Sequence, residues 1–328
     1  MTEVLKLLEL PGMIRHFMKH KELLSSFDKS WNEFSQAWKK ARAKASERSV
    51  HDLRVSTRRL IAALELARVL SRRDNIGKLQ QRFKRVLKDM GALRDVQVQL
   101  ESVSQIRKMD VIAGFKRRLK RREREQIGKI HGELKRDRKQ RLAEGFKDVR
   151  TEFSRLQDSM SDDRFLRSAE RFLLSRRNQF LKAEQRFRRL PSGNEEALHQ
   201  MRIALKKLRY GMEAARPILG PSARDPGRQM HAFQQLMGDS RDVEILRAEL
   251  GKWANKKGKK IAVVPALEGL QLKREALLKK IIESSGKLER IFETDAPKPV
   301  AEKTEIIPPN PAASGTDRAR TAAAGGFA

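Results

Sequence analysis

Two stretches of the chain carry histidine and cations in the same order. The first is HDLRVSTRRLIAALE, with His51, Arg54, Arg58 and Arg59; the second is HQMRIALKKLRYGME, with His199, Arg202, Lys206 and Lys207. His199 follows His51 by 148 residues (199 − 51), and Glu213 follows Glu65 by the same shift. At roughly 100° per residue, His51, Arg54, Arg58 and Glu65 fall within about 60° of one another on a helix. Such a face suits a phosphate-rich anion: guanidinium forks bind oxyanions bidentately, lysines add point charge, and imidazole donates once protonated. The competing reading makes Arg54 and Arg202 structural partners of Glu65, Glu213, Asp95 or Asp242, and makes the histidines structural bonds to neighbouring helices. Metal binding is the weakest reading, because neither histidine has a second ligand at suitable spacing except distant Glu65 or Glu213.

A second echo follows each stretch: GALRDV, with Arg94 and Asp95, and GDSRDV, with Arg241 and Asp242, offset by 147 (241 − 94). The same offset brings Lys84 level with His231, and Lys88 lies one helical turn beyond Lys84. Asp95 and Asp242 are assigned to orienting the arginines or capping a helix. Between the two halves FKRRLKRRER holds seven basic residues and one acid in ten. A charge run is usually a solvated face, yet here cations cover much of the helix circumference. Arg117, Arg118, Arg121 and Arg122 are therefore expected to extend an anion-binding surface. His16, His20 and His131 carry no such pattern.

The elements that must hold these residues are helices. Opposite the cationic face, Leu53, Thr57, Leu60, Leu64 and Ala67 recur at spacings of four and three, and Met201, Leu205, Leu208, Met212 and Ala215 repeat them. Ser49 with Asp52, and Ser192 with Glu195, suggest capping boxes for the two histidine helices. Phe27, Trp31, Phe34 and Trp38 stripe a preceding helix, and Phe165, Phe172, Phe180 and Phe187 stripe a later one. Further helices are expected over 79–90, closed by Gly91 as a C-terminal cap, over 94–107, over 111–160 and over 268–292. A loop is expected at 217–227, and a basic loop or frayed helix at 253–260. No stretch shows the alternation of strands, so the fold class is all-α. The organisation reads as an N-terminal segment (1–25), a first helical half (26–160), a second helical half (161–292) and a near-neutral, disordered tail (293–328).

Composition narrows the partners. The 328 residues carry a formal net charge of +31, with 35% charged and 5% aromatic residues. That field attracts polyanions and opposes compaction unless it is neutralised. With no cysteine, disulfides, thiol nucleophiles and Cys-ligated zinc are excluded. The N-terminus lacks a signal-peptide core and no run approaches the length of a membrane span, so a cytoplasmic location is expected.

The duplicated His-x-x-Arg helices, each followed by Gly-x-x-Arg-Asp, resemble the CHAD family, the conserved histidine α-helical domain, over roughly residues 10–292. The resemblance implies two four-helix bundles related by internal duplication and a pseudo-two-fold. It also implies a basic surface and central cavity that bind inorganic polyphosphate. The family's namesake positions fall on His51 and His199. Its basic positions fall on Arg54, Arg58, Arg59, Arg202, Lys206 and Lys207, and its Arg-Asp pairs on Arg94, Asp95, Arg241 and Asp242. The second copy departs from the first in having lysines for Arg58 and Arg59, which weakens bidentate contact there.

Three functional classes follow. The first is non-catalytic binding of inorganic polyphosphate, at polyphosphate or storage granules. The second is a basic nucleic-acid-binding protein, with nucleic acid at least a non-specific competitor; one Tyr and three Trp leave little for base stacking. The third is an enzyme acting on phosphoanhydrides. Against it, the Glu-x-Glu of Glu123 and Glu125 is followed by Ile127 instead of lysine, and no phosphate-binding loop or metal-binding carboxylate cluster is present. The expectation is a non-enzyme without cofactor or metal.

Overall fold

The computed structural model describes residues 19–71, 73–106, 110–190, 194–219 and 227–293. Expectations for most of the N-terminal segment, for the cap at Ser192, and for the tail beyond 293 lie outside these residues. The described chain is helical: α1 (Lys19–Ala43), α2 (Glu47–Leu70), α3 (Asp74–Asp89), α4 (Gly91–Ser104), α5 (Asp110–Glu133), α6 (Arg136–Ser159), α7 (Asp162–Arg189), α8 (Glu195–Leu219), α9 (Gly227–Lys256) and α10 (Val264–Glu293), with a short 3-10 turn at Ile261–Val263. Among the described residues there is no strand, and no helix is long and apolar enough to cross a membrane.

The apolar faces expected of the two histidine helices are the ones that pack. Leu53, Thr57, Leu60, Leu64 and Ala67 are all 0% exposed. Met201, Leu205, Leu208 and Ala215 are buried, with Met212 partly so. Removing these side chains from water drives the helices together and thereby fixes which way the cationic faces turn. The aromatic stripe of α1 behaves similarly. Phe34 and Trp38 are buried, Phe27 stacks on Phe146 with centroids 4.5 Å apart, and Phe34 meets Phe83 edge-on at 5.1 Å.

Three apolar clusters result among the described residues. One joins α1, α2, α3 and α6 with the start of α7 and the end of α8. A second joins the rest of α7 and α8 to α9 and α10. The third ties α4 and α5 to α9 and α10, with Phe115 against Trp253 at 5.5 Å. Two of these clusters draw on helices from both sides of residue 160. Helix α7 can lie close on α8 because Gly211 has no side chain; a Cβ there would meet the Phe172 ring at 3.2 Å.

Several boundaries differ from the sequence reading. Helix α2 is capped by Ser46, whose Oγ accepts from the Ser49 amide at 3.3 Å, so Ser49 lies inside the helix. Helix α8 is capped by Asn194, whose Oδ1 accepts from the Ala197 amide at 2.9 Å. Gly91 is not a cap: Met90, 1% exposed and in αR geometry, carries the backbone from α3 into α4, and burial there outweighs the break signal. The left-handed position is instead Gly258, with φ 64°, closing the turn after α9. The long basic helix expected over 111–160 is two helices, interrupted at Leu134–Lys135. Helix α8 runs through Pro217 to Leu219 because Ile218 and Leu219 are buried in the first cluster, which offsets the backbone hydrogen bond that Pro217 cannot donate to the preceding turn.

Candidate functional site

Helices α2 and α8 pack directly on each other, and α4 packs on α9. The two histidine helices therefore meet, each followed in space by its Gly-x-x-Arg-Asp segment. Their cationic faces converge on Arg54, Arg58, Arg94, Arg202, Lys206 and Arg241, with Asp95 and Asp242 among them, and these groups act on one another electrostatically across the helix pair.

The fields within this cluster are strong. Burial and the neighbouring Arg202, Arg58 and Arg54 lower the pKa of the Lys206 ammonium from 10.5 to about 6, with Asp242 opposing weakly. Burial, then Arg58, lowers Arg54 to about 10. Arg202 is also lowered, first by burial, although Asp242 and Asp95 support its charge. Asp242 is raised, because burial outweighs the arginines around it. In each case the largest cause is burial, which disfavours the charged form; neighbouring cations add to it for Lys206, Arg54 and Arg202 and oppose it for Asp242.

Hydrogen bonding reinforces that imbalance. Arg54 Nη1 donates to the Leu87 carbonyl at 2.9 Å, and the buried Nε of Arg202 has no partner. Among the described residues neither arginine forms an ion pair, and nor does Arg58 or Lys206. Of the four carboxylates proposed as their structural partners, Asp95 and Asp242 act on them only through their field, and the other two are engaged elsewhere. Glu65 holds Arg176 at 2.8 Å and accepts from Gln80, while Glu213 holds Arg209 at 2.6 Å and Arg59 at 3.2 Å. Arg94 and Arg241 flank the cluster with partners of their own: Glu47 at 2.7 Å and Glu244 at 2.9 Å.

Glu47 and Glu244 belong to the local structure and were missed in the sequence. The available signal was the 148-residue shift itself, which places Glu195 level with Glu47 (195 − 47). In the second half Glu195 is hydrogen-bonded to Glu244, which pushes its carboxyl up, and it also meets Arg274 at 3.4 Å.

The histidines differ from each other. His51 is exposed at the edge of α2, and its pKa is lowered by partial burial and by Arg94. His199 is half-buried, with an Nδ1 that has no hydrogen-bond partner. Other expected site residues lie along different elements. Arg59 is taken up by Glu33 and Glu213, and the field of Glu213 raises its pKa despite burial. Lys207 and His231 are exposed on α8 and α9, and Lys88 is exposed on α3. Lys84 lines a groove of about 640 Å³ with Arg68, Arg171 and Arg176. On α5, Arg121 pairs with Glu125 at 3.7 Å and Arg122 with Glu249 at 3.1 Å, while Arg117 is exposed and Arg118 half-buried.

An all-helical domain that sets two cationic helices side by side, each trailed by an Arg-Asp segment, is the class of protein these features define. The chain belongs to the CHAD domain family, whose pattern it matches over residues 26–251. Helix α10, which closes two of the three apolar clusters, lies beyond the matched stretch. The crystal structure of the CHAD domain from the plant Ricinus communis has the same fold, with a TM-score of 0.62 and 17% identity, covering 81% of this chain and 91% of that one. PptA from Streptomyces chartreusis aligns with a TM-score of 0.46 and 17% identity, covering 85% of this chain and 99% of that one. No curated protein matches the sequence.

Proposed function

We propose that this protein binds inorganic polyphosphate, without catalysis, in the space between the cationic faces of α2 and α8. The observation that carries the reading is the set of Arg54, Arg58, Arg202 and Lys206, mutually repelling and without ion pairs among the described residues. A buried charge without a partner is costly. A linear chain of phosphates would supply the missing negative charge along the whole cluster, with counterion release adding to affinity. The family relation points the same way, since CHAD members are linked to polyphosphate. Asp95 and Asp242 support the charge of Arg54 and Arg202 through their field, without a hydrogen bond or ion pair to them among the described residues, and the exposed cations of α5 extend the surface for longer chains.

Nucleic acid is the competing ligand for so basic a chain. The residues of the cluster include no aromatic ring on which a base could stack. Glu123 and Glu125 lie on α5, away from any strand that would present them to a metal, which agrees with a binding role. The reading places the protein in the cytoplasm, associated with polyphosphate or storage granules. Equilibrium binding of long-chain polyphosphate against single-stranded nucleic acid of equal charge tests it. Polyphosphate is expected to bind about tenfold or more tightly at matched salt, and equal affinity refutes the assignment. Phosphate release from polyphosphate with Mg²⁺ would overturn the non-catalytic part.

A further inference from the structure

A second concave surface lies between α1 and α6, a groove of about 820 Å³ lined by Trp31, Ser35, Trp38, Lys39, Arg42, Ala43, Arg136, Lys139, Gln140 and Ala143. Its chemistry differs from that of the central cluster. Four cations line it (Lys39, Arg42, Arg136 and Lys139), no carboxylate does, and none of the four forms an ion pair among the described residues. Two indoles also line it. Trp31 is half-buried and braced from behind by Phe146, stacked at 4.6 Å. Trp38 is 1% exposed, and its Nε1 donor finds no acceptor.

A solvated face accounts for scattered lysines. It does not account for uncompensated cations gathered around the half-buried indole of Trp31. Aromatic rings bind planar heterocycles by stacking, and cations on adjoining walls bind phosphate oxygens. A phosphate chain without a base would leave the Trp31 indole unused. An uncharged aromatic ligand would leave the four cations unused. A ligand that carries both parts uses the whole lining.

We infer that the α1–α6 groove is a site for a nucleoside polyphosphate, its base against Trp31 and its phosphates among Lys39, Arg42, Arg136 and Lys139. This site is separate from the α2–α8 cluster and does not depend on the polyphosphate reading.

The test uses the full chain and ATP, with inorganic triphosphate as the base-free probe. The double reversal Lys39→Glu with Arg136→Glu is expected to weaken ATP binding about tenfold or more, because both side chains are exposed groove cations. The reversal Lys256→Glu with Lys257→Glu, which makes the same charge change on exposed residues at the end of α9, is expected to alter it less than about twofold. Equal loss in the two double variants overturns the site in favour of diffuse charge attraction. ATP is expected to bind about fivefold or more tightly than inorganic triphosphate; equal affinity overturns the role of the Trp31 indole and with it the ligand class. Arg54→Glu, in the central cluster, is expected to leave ATP binding unchanged while reducing polyphosphate binding. Loss of both would place the nucleotide in the central cluster and overturn the second site. Circular dichroism of each variant confirms that the helices persist.

Discussion

Arg54 reaches across from α2 to donate one guanidinium N–H to the main-chain carbonyl of Leu87, 2.9 Å away, in the last turn of α3. A helix C-terminus carries partial negative charge, so this contact aims the side chain without neutralising it. The rest of the fork is left for a ligand. Arg54→Lys should lose both the anchor and the bidentate geometry and weaken polyphosphate binding by about tenfold. Arg54→Glu and Arg202→Glu should weaken it further and to a similar order, since both arginines border the same cluster. Titration calorimetry checks the three variants, and a response confined to one arginine would contradict a ligand shared by both helices.

Lys206 makes the site pH-dependent. Free, its pKa is lowered to about 6, so at neutral pH the ammonium is mostly deprotonated. A bound phosphate chain favours the charged form and raises that pKa, so binding takes up a proton. Affinity therefore falls as pH rises above about 6 and levels off below it. Calorimetry in buffers of different ionisation enthalpy should detect the uptake in the native chain and not in Lys206→Met.

The same group bears on stability. Because its folded pKa lies below the ordinary 10.5, the unfolded chain binds the proton more readily, and the native state loses stability as pH falls from about 10.5 to about 6. Lys206→Met should raise the melting temperature, and the gain should grow across that window and stay constant below it. A gain independent of pH would mean that lost repulsion is not its source.

His51 behaves differently because it is already exposed. Its pKa lies below 6.5, through partial burial and the nearby Arg94, so it is neutral at pH 7.5. His51→Gln should change polyphosphate affinity by less than about twofold at pH 7.5 and weaken it clearly only below the ordinary histidine value of 6.5. Equal weakening at both values would show that a neutral imidazole makes the contact.

Leu205 is fully buried on the inner face of α8. Leu205→Ala should cost about 2–5 kcal/mol of unfolding free energy, the range for truncating a core leucine. Chemical denaturation measures the loss. A cost well under 1 kcal/mol would mean the inner face of α8 does not set its orientation.

The inner faces of α2 and α8 were legible in the sequence because burial follows the helical period, and two copies of one pattern leave little ambiguity in phase. So was the convergence of Arg54, Arg58, Arg202 and Lys206, which follows once those faces pack. The ends of the helices were less legible. Ser46 and Ser49 both offer a hydroxyl ahead of an acidic residue, and only the geometry of the preceding turn selects Ser46. Gly91 carried a stop signal that the burial of Met90 overrode. Arg59 shares the sequence signature of Arg58, yet the chain turns it toward Glu33 and Glu213; that choice depends on α1, which local spacing does not describe. The groove cations of α1 and α6 lie far apart in the chain, so no single-segment pattern joins them.

The two Arg-Asp segments sit on supports of unequal continuity. Asp242 and Arg241 lie deep inside an unbroken rod, while Asp95 and Arg94 follow directly on the joint at Met90. If polyphosphate binds as proposed, the α4 side is the one whose helix is interrupted next to the ligand, and the α9 side meets it from mid-helix.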